Sequence, residues 1–277
     1  MNNNLNYYKE GGFNPSSLFY TDGYKLGHGD MLAPNTEFLY GQAIPRSFKH
    51  LPFVKRCVSM GQQFTWIWIH DEFQRGFFGQ PLEKALKFAE DISQYLGIKK
   101  FSSKRLEKLY ELGYLPIRAK SLPEGITTLN NIPHMTFVNT VKGFAWLTLY
   151  LETICSAIYW RFPTSATKAF YFKKNIVEYI NKTDNTFTLL EFLAHDFSAR
   201  GLDPFTIMSS GLAFSSCSLG SDNLVVIPAA RYYYNESENS MPVFSVKASE
   251  HSVSCTNIFY YKKKLENGEL NKEIEAI

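Results

Sequence analysis

Behind Pro81, apolar residues return every three or four positions: Leu82, Ala85, Leu86, Ala89, Ile92 and Leu96 share one face, and Gly97 follows. A proline in the first turn and a glycine at the stop predict an amphipathic helix. A second helix is expected directly after it, with Ser102 or Ser103 as cap, Leu106, Leu109 and Tyr110 as the apolar stripe, and Gly113 as the stop. The period then shortens. Residues 115–120, 126–129 and 135–139 are strand-like runs separated by Pro123-Glu124-Gly125 and Asn130-Asn131, which predict an antiparallel meander. Two long helices are expected next, over residues 144–160 and 165–182, on either side of a break at Phe162-Pro163-Thr164.

From Leu189 onward, short apolar runs at 190–197, 212–219 and 243–248 alternate with long connections. Each run ends in a polar cluster: Ser198-Ala199-Arg200-Gly201, Gly220-Ser221-Asp222 and Ser249-Glu250-His251-Ser252. Polar groups just past the C-terminal ends of successive strands are the layout of a β/α barrel. The predicted fold class is therefore an α+β N-terminal domain, residues 1–185, followed by the first strands of an incomplete β/α barrel, residues 186–277. A complete barrel takes ~250 residues. The 89 residues from Leu189 to Ile277 hold three strands, with a further helix expected to begin at Asn271. No internal repeat competes with this division.

Composition narrows the class. At 45% hydrophobic and 20% charged residues the chain buries a core, which excludes wholesale disorder. The net charge of +3 is scattered in both signs, without the basic stripe of a duplex-binding protein. Residues 143–162 match a membrane span in length, but Glu152 and Arg161 favour a buried helix instead. Cys57, Cys155, Cys217 and Cys255 form no CxxC pair and read as free thiols in a reducing compartment. The first residues have neither the charged nor the apolar region of a secretory signal, so a cytoplasmic protein is expected. Aromatics at 16% suit a thick core and also offer flat faces for a planar ligand.

The strand-end clusters supply an arginine, a carboxylate and a Glu-His pair, able together to grip a polar heterocycle and an anion. Each has a plainer reading. Arg200 can be a solvated loop arginine, Asp222 a helix cap, and His251 an ordinary hydrogen-bonded histidine.

Their order along the chain adds to these readings. Thr21-Asp22-Gly23-Tyr24-Lys25, Ala33-Pro34-Asn35-Thr36, His195-Asp196-Phe197 with Arg200-Gly201, Gly220-Ser221-Asp222 and Ala248-Ser249-Glu250-His251-Ser252 resemble the N-terminal half of the nicotinamide phosphoribosyltransferases. Supporting matches are Gly61-x-Gln63, Pro123-Glu124-Gly125, Glu152-Thr153, Pro163 and Ala166-Thr167.

The resemblance implies an enzyme in which the pyridine nitrogen of nicotinamide attacks the anomeric carbon of phosphoribosyl pyrophosphate, giving nicotinamide mononucleotide and pyrophosphate. Phe197 matches the family's stacking aromatic, and Tyr24 the tyrosine brought to the other face of the ring by a second subunit, which implies a homodimer. Asp222 matches the carboxylate that accepts a hydrogen bond from the carboxamide and disfavours nicotinate by charge repulsion. Arg200 matches an arginine beside the ring, and Arg46 one reaching the phosphate region, although Tyr40-Gly41-Gln42-Ala43 before it departs from the family pattern. His251 aligns with a histidine phosphorylated from ATP, with Glu250 or a backbone carbonyl to fix its other ring nitrogen. Mg2+ is expected with ATP and phosphoribosyl pyrophosphate, held through the phosphates rather than by a metal cage of the protein.

Three readings stay open. One is the N-terminal portion of such an enzyme, inactive without the C-terminal half, which a longer chain or a separate polypeptide would supply. Another is a non-catalytic nicotinamide-binding or dimerisation module. A nicotinate phosphoribosyltransferase is the third, and Gly220-Ser221-Asp222 argues against it.

Overall fold

The structure, a computed structural model, describes residues 15–97, 101–183 and 185–269. A short helix α1 (Lys25–Met31) leads through β1 (Tyr40–Ala43) and β2 (Cys57–Val58) to α2 (Gln62–Phe73), which runs on into a π turn over Gln74–Phe78. The helices predicted from the stripe behind Pro81 are α3 (Leu82–Tyr95) and α4 (Lys104–Leu112). Gly113 ends α4 at φ 76, the left-handed conformation that glycine adopts without strain. Ser103 stands at the cap position of α4, yet its hydroxyl donates to the Glu107 carboxylate rather than serving the backbone.

The three strand-like runs become β3 (Ile117–Ser121), β4 (Thr127–Thr128) and β5 (Met135–Asn139), but they do not form a single meander. β5 is the centre of an antiparallel sheet ordered β1-β5-β3, while β4 leaves it to pair with β2. Alternation along β5 puts Met135, Phe137 and Asn139 on its buried face. It says nothing of neighbours, and the two- and four-residue strands β2 and β1 are too short to carry a period of their own.

Two helices follow, α5 (Ala145–Tyr159) and α6 (Arg161–Lys182). The predicted break at Pro163 is absent because α6 starts at Arg161 and holds Pro163 in its first turn, where the missing N–H has no intrahelical partner to lose. α5 is the central helix. Leu147, Leu151, Ile154 and Ile158 are buried along it, and Glu152 points out. Among the described residues no helix is long and apolar enough to cross a membrane.

Beyond α6 the chain forms one strand-helix-strand unit: β6 (His195–Asp196), α7 (Pro204–Ser215) and β7 (Gly220–Ser221), with β6 and β7 parallel, and then α8 (Val226–Tyr234). This corrects the expected run of barrel strands. Residues Leu190–Phe192 form a 3-10 turn, the first part of 212–219 is the end of α7, and 243–248 form no strand apart from one bridge residue, Phe244. No barrel is present among the described residues. Short apolar runs do not distinguish a buried strand from a buried helix turn, and Leu212 and Ala213 bury themselves on the face of α7 instead.

One continuous core runs from Leu18 to Val243. It joins α2, α5, the start of α6, α7 and α8. Phe64 of α2 is its hub: fully buried, it meets the rings of Phe162, Phe205 and Tyr233 at centroid distances of 4.8, 5.7 and 4.0 Å. Gly61, just ahead of α2, must be glycine twice over. Its φ is 92, and a Cβ there would lie 2.1 Å from the Phe162 ring. Residues through Val243, including both sides of position 185, belong to one compact unit, and the chain from Phe244 forms a second that contains α9 (His251–Glu266). The helix expected from Asn271 lies outside the described residues.

Candidate functional site

The parallel pair β6 and β7 delivers the first two polar clusters side by side. After β6 the chain turns over residues 197–201, with Gly201 at φ 91, and reaches α7 through Asp203, whose carboxylate caps the helix by accepting the Thr206 N–H at 3.0 Å. The Thr206 hydroxyl and backbone together hold the Asp203 carboxyl below the usual carboxylate range.

Alternation along β6 sends Asp196 inward and its neighbours to the opposite face. The buried Asp196 carboxylate accepts the Ser198 N–H at 2.9 Å and the Asn223 Nδ2 at 2.5 Å, and Asn223 also donates to the Ser198 hydroxyl at 3.0 Å. The Asp222 N–H donates to the Asp196 carbonyl at 3.0 Å, so the loop after each strand is tied to the other. On the outer face, His195 Nε2 lies 3.1 Å from Asp222 Oδ1, and the His195 and Phe197 rings are 4.5 Å apart at a tilt of 36°. Phe197 is 66% exposed, which is unusual for a phenylalanine whose backbone is so firmly held. Arg200 stands exposed in the same turn. Beside this group opens a cavity of about 420 Å³, lined by His195, Asp196 and Ser198 and, from α6, by Arg161, Lys168 and Phe172.

Tyr24 is displayed elsewhere in the first unit, on a platform formed with α5. The Thr21 hydroxyl donates to the Tyr150 carbonyl at 3.0 Å, the Thr153 hydroxyl to Asp22 Oδ2 at 2.6 Å, and the buried Lys25 pairs with Glu152. The motif around Tyr24 is thus clasped to the Glu152-Thr153 motif of α5. Tyr24 itself stays 64% exposed, its ring edge-on to His28 and 5.3 Å from the Lys25 ammonium.

The other supporting motifs also meet one another. Glu124 accepts the Gln63 N–H at 2.9 Å at the start of α2 and the Tyr234 hydroxyl at 3.0 Å, while the Gln63 side chain donates to the Tyr233 carbonyl at 2.6 Å. These contacts anchor α8, the helix that follows Asp222. A carboxylate facing the N-terminal turn of α2 is also favoured by the helix dipole. Arg46 is exposed in the segment after β1.

Glu250 and His251 belong to the second unit. Glu250 precedes α9 and its carboxylate accepts the Ser252 hydroxyl at 2.5 Å; His251 is the exposed first residue of the helix. The structure therefore gathers Phe197, Arg200 and Asp222 around one parallel strand pair and sets Tyr24 on its own platform. His195 and Asp196, part of a motif but given no role from sequence, and Asn223, which no motif included, organise the strand-end group. The signal available was positional: His195 and Asp196 directly precede Phe197, and Asn223 directly follows Asp222.

The four cysteines are free. Cys57 and Cys155 are buried, and Cys217 and Cys255 partly so. Burial pushes the Cys155 thiol up to about 12 and the Cys57 thiol upward too, which marks both as unreactive packing residues. Among the described residues no three His, Cys, Asp or Glu side chains are grouped to hold a metal ion.

The mixed α+β fold of the chain has a counterpart among solved structures. Part of the crystal structure of human Nicotinic Acid Phosphoribosyltransferase superposes with a TM-score of 0.55 at 15% identity, covering 82% of this chain and 39% of that one, a likeness of fold. Sequence comparison is more specific. The chain is 33% identical over 241 residues to the Nicotinamide phosphoribosyltransferase of Acinetobacter baylyi, across 84% of this chain and 47% of that protein. It is 24% identical over 272 residues to the enzyme of the same name from Mycoplasma genitalium, across 88% of this chain and 54% of that protein. No family model matches the chain. By these similarities the protein is a homologue of the nicotinamide phosphoribosyltransferases, related to the N-terminal half of those enzymes, and it spans about half the length of the curated relatives it matches.

Proposed function

We propose that this chain is the nicotinamide-recognising half of a nicotinamide phosphoribosyltransferase. The observation that carries the reading is the pairing of an exposed, backbone-anchored Phe197 with Asp222 across β6 and β7. A planar pyridine stacked on Phe197 keeps its in-plane nitrogen open to attack the anomeric carbon of phosphoribosyl pyrophosphate, with pyrophosphate leaving. Asp222 accepts the carboxamide N–H. Facing the carboxylate of nicotinate instead, it would meet a like charge, at a cost of about 4 kcal/mol for two charges ~4 Å apart at an effective dielectric constant of ~20.

In this proposal Tyr24 closes the other face of the ring from a second copy in a homodimer, which its exposure on a rigid platform supports. Arg200 attends the carboxamide oxygen or the product phosphate. Arg46 has the weaker case of a phosphate contact. His251, with Glu250 beside it in sequence, is the acceptor of a phosphoryl group from ATP, and Mg2+ travels with the phosphates of ATP and phosphoribosyl pyrophosphate. The groups that hold the phosphoribosyl moiety belong to the C-terminal half, whether it follows in a longer chain or comes from a separate polypeptide. A binding-only role has one observation in its favour: the whole of the Phe197–Asp222 group lies within the first compact unit.

The test is product formation. Nicotinamide mononucleotide should appear when the chain is joined to, or mixed with, the C-terminal half of a homologue, and should be lost in Asp222→Ala or His251→Ala. A folded assembly that binds nicotinamide and never forms product supports the binding-only role instead.

A further inference from the structure

Phe197 and Asp222 come from different loops, 25 residues apart in sequence. One side chain touches both. The His195 ring packs against Phe197 at 4.5 Å and presents Nε2 to Asp222 Oδ1 at 3.1 Å. Its seat is shaped by β7: a Cβ on Gly220 would lie 2.8 Å from His195 Nδ1 and 2.9 Å from the Ala194 carbonyl oxygen, so only glycine lets the strand come this close. The glycine of Gly220-Ser221-Asp222 is therefore required by the close approach of β7 to the His195 ring and the Ala194 carbonyl.

We propose that His195 is the positioning residue of the site. It holds the Asp222 carboxylate and the Phe197 ring in one geometry and thereby sets the preference for a carboxamide over a carboxylate on the bound ring. The inference rests on the nicotinamide reading above and names the residue that enforces it.

The chemistry fixes the tautomer. A carboxylate oxygen only accepts, so the neutral imidazole must carry its proton on Nε2, which leaves Nδ1 unprotonated against the β7 backbone. In its neutral form the imidazole orients Asp222 without cancelling the carboxylate charge, and that charge is what rejects a second carboxylate. Charged groups near the ring among the described residues include Asp196, turned to Ser198 and Asn223, and, lining the same cavity, Arg161 and Lys168 of α6. α7 contributes Ser210 and Phe214 to that cavity, both uncharged.

The test has a ligand-free arm and a ligand arm, both on the full 277-residue chain. In alkaline buffer, where imidazoles are neutral, the 15N spectrum of His195 should show Nε2 protonated in the wild type and a redistribution between the nitrogens in Asp222→Ala, which removes the acceptor. An unchanged spectrum means that the pair does not exist and overturns the proposal. In the ligand arm, calorimetric titration with nicotinamide and with nicotinate should give a preference for the amide that falls about tenfold in His195→Ala, as expected when one hydrogen bond to a charged group is lost. His195→Gln, whose Nε2 keeps a donor near the same place, should recover most of it. Gly220→Ala keeps the imidazole but displaces it, and should reproduce the His195→Ala loss. Equal preference in wild type and His195→Ala, with both folded, overturns the role of His195. A wild type that binds neither ring overturns the nicotinamide reading itself, and the two failures are thus told apart.

Discussion

Phe64 and Phe197 use the same side chain to opposite ends. Phe64 is fully buried and meets three other aromatic rings in the core, whereas Phe197 is 66% exposed on a turn whose backbone is pinned by the Asp196, Ser198 and Asn223 network. Around Phe64 the apolar surface is spent on stability. Around Phe197 the stabilising contacts are polar and lie beneath the ring, which leaves its face for a ligand. The contrast separates the scaffold from the site, and each half of it can be broken on its own.

The largest effect is expected in the scaffold. Phe64→Ala should lower the free energy of unfolding by about 3–5 kcal/mol, read from a urea titration. A loss under about 1 kcal/mol would mean that the aromatic hub does not hold the helices together.

Acid should attack the scaffold next, through His134. This buried imidazole lies 2.7 Å from the Thr128 hydroxyl and 2.6 Å from the Tyr159 hydroxyl, and burial lowers it from 6.5 to about 4. Between those two values the unfolded chain takes up the proton and the folded one does not. Stability should therefore be level above pH 6.5 and decline as pH falls toward 4, by at most roughly 3 kcal/mol. Urea midpoints measured across that range in wild type and His134→Gln should differ in slope; equal slopes would assign the acid sensitivity to other groups.

In the site, effects should appear in binding rather than in folding. Asp222→Asn should reduce the preference for nicotinamide over nicotinate by roughly a hundredfold, with stability changed by about 0.5 kcal/mol or less because the pair is partly solvated. Competition binding with the two rings measures the first, and urea titration the second. Phe197→Ala should weaken nicotinamide binding by about tenfold, in line with loss of one stacked ring, and again leave stability within about 0.5 kcal/mol. A site variant that unfolds the protein would erase the distinction between the two regions.

The same contrast governs what could be read from the sequence. α3 and α4 were legible because long amphipathic helices state their inward face every three or four residues, and Gly113 marks a stop. The pairing of β4 with β2, and the start of α6 ahead of Pro163, were not, since both depend on partners remote in the chain or on where a helix begins. The strand-end clusters were visible as motifs, but of their supposed strands the first shrank to His195–Asp196, the second gave its opening residues to α7 with β7 starting only at Gly220, and the third left a single bridge residue. Phe197, Asp222 and Arg200 stood out by resemblance. His195 stood in the same motif as Phe197, but its role was not legible, because a histidine that links two loops is recognisable only when the fold brings β6 beside β7.

The account stands or falls on whether the strand-end group is where nicotinamide binds. Nicotinamide titrated into the isotope-labelled chain should shift the backbone resonances of Phe197, Ser198 and Asp222 in a saturable way and leave those of the Phe64 core unmoved. Saturable binding whose shifts fall elsewhere, or no binding by the folded chain, would contradict it.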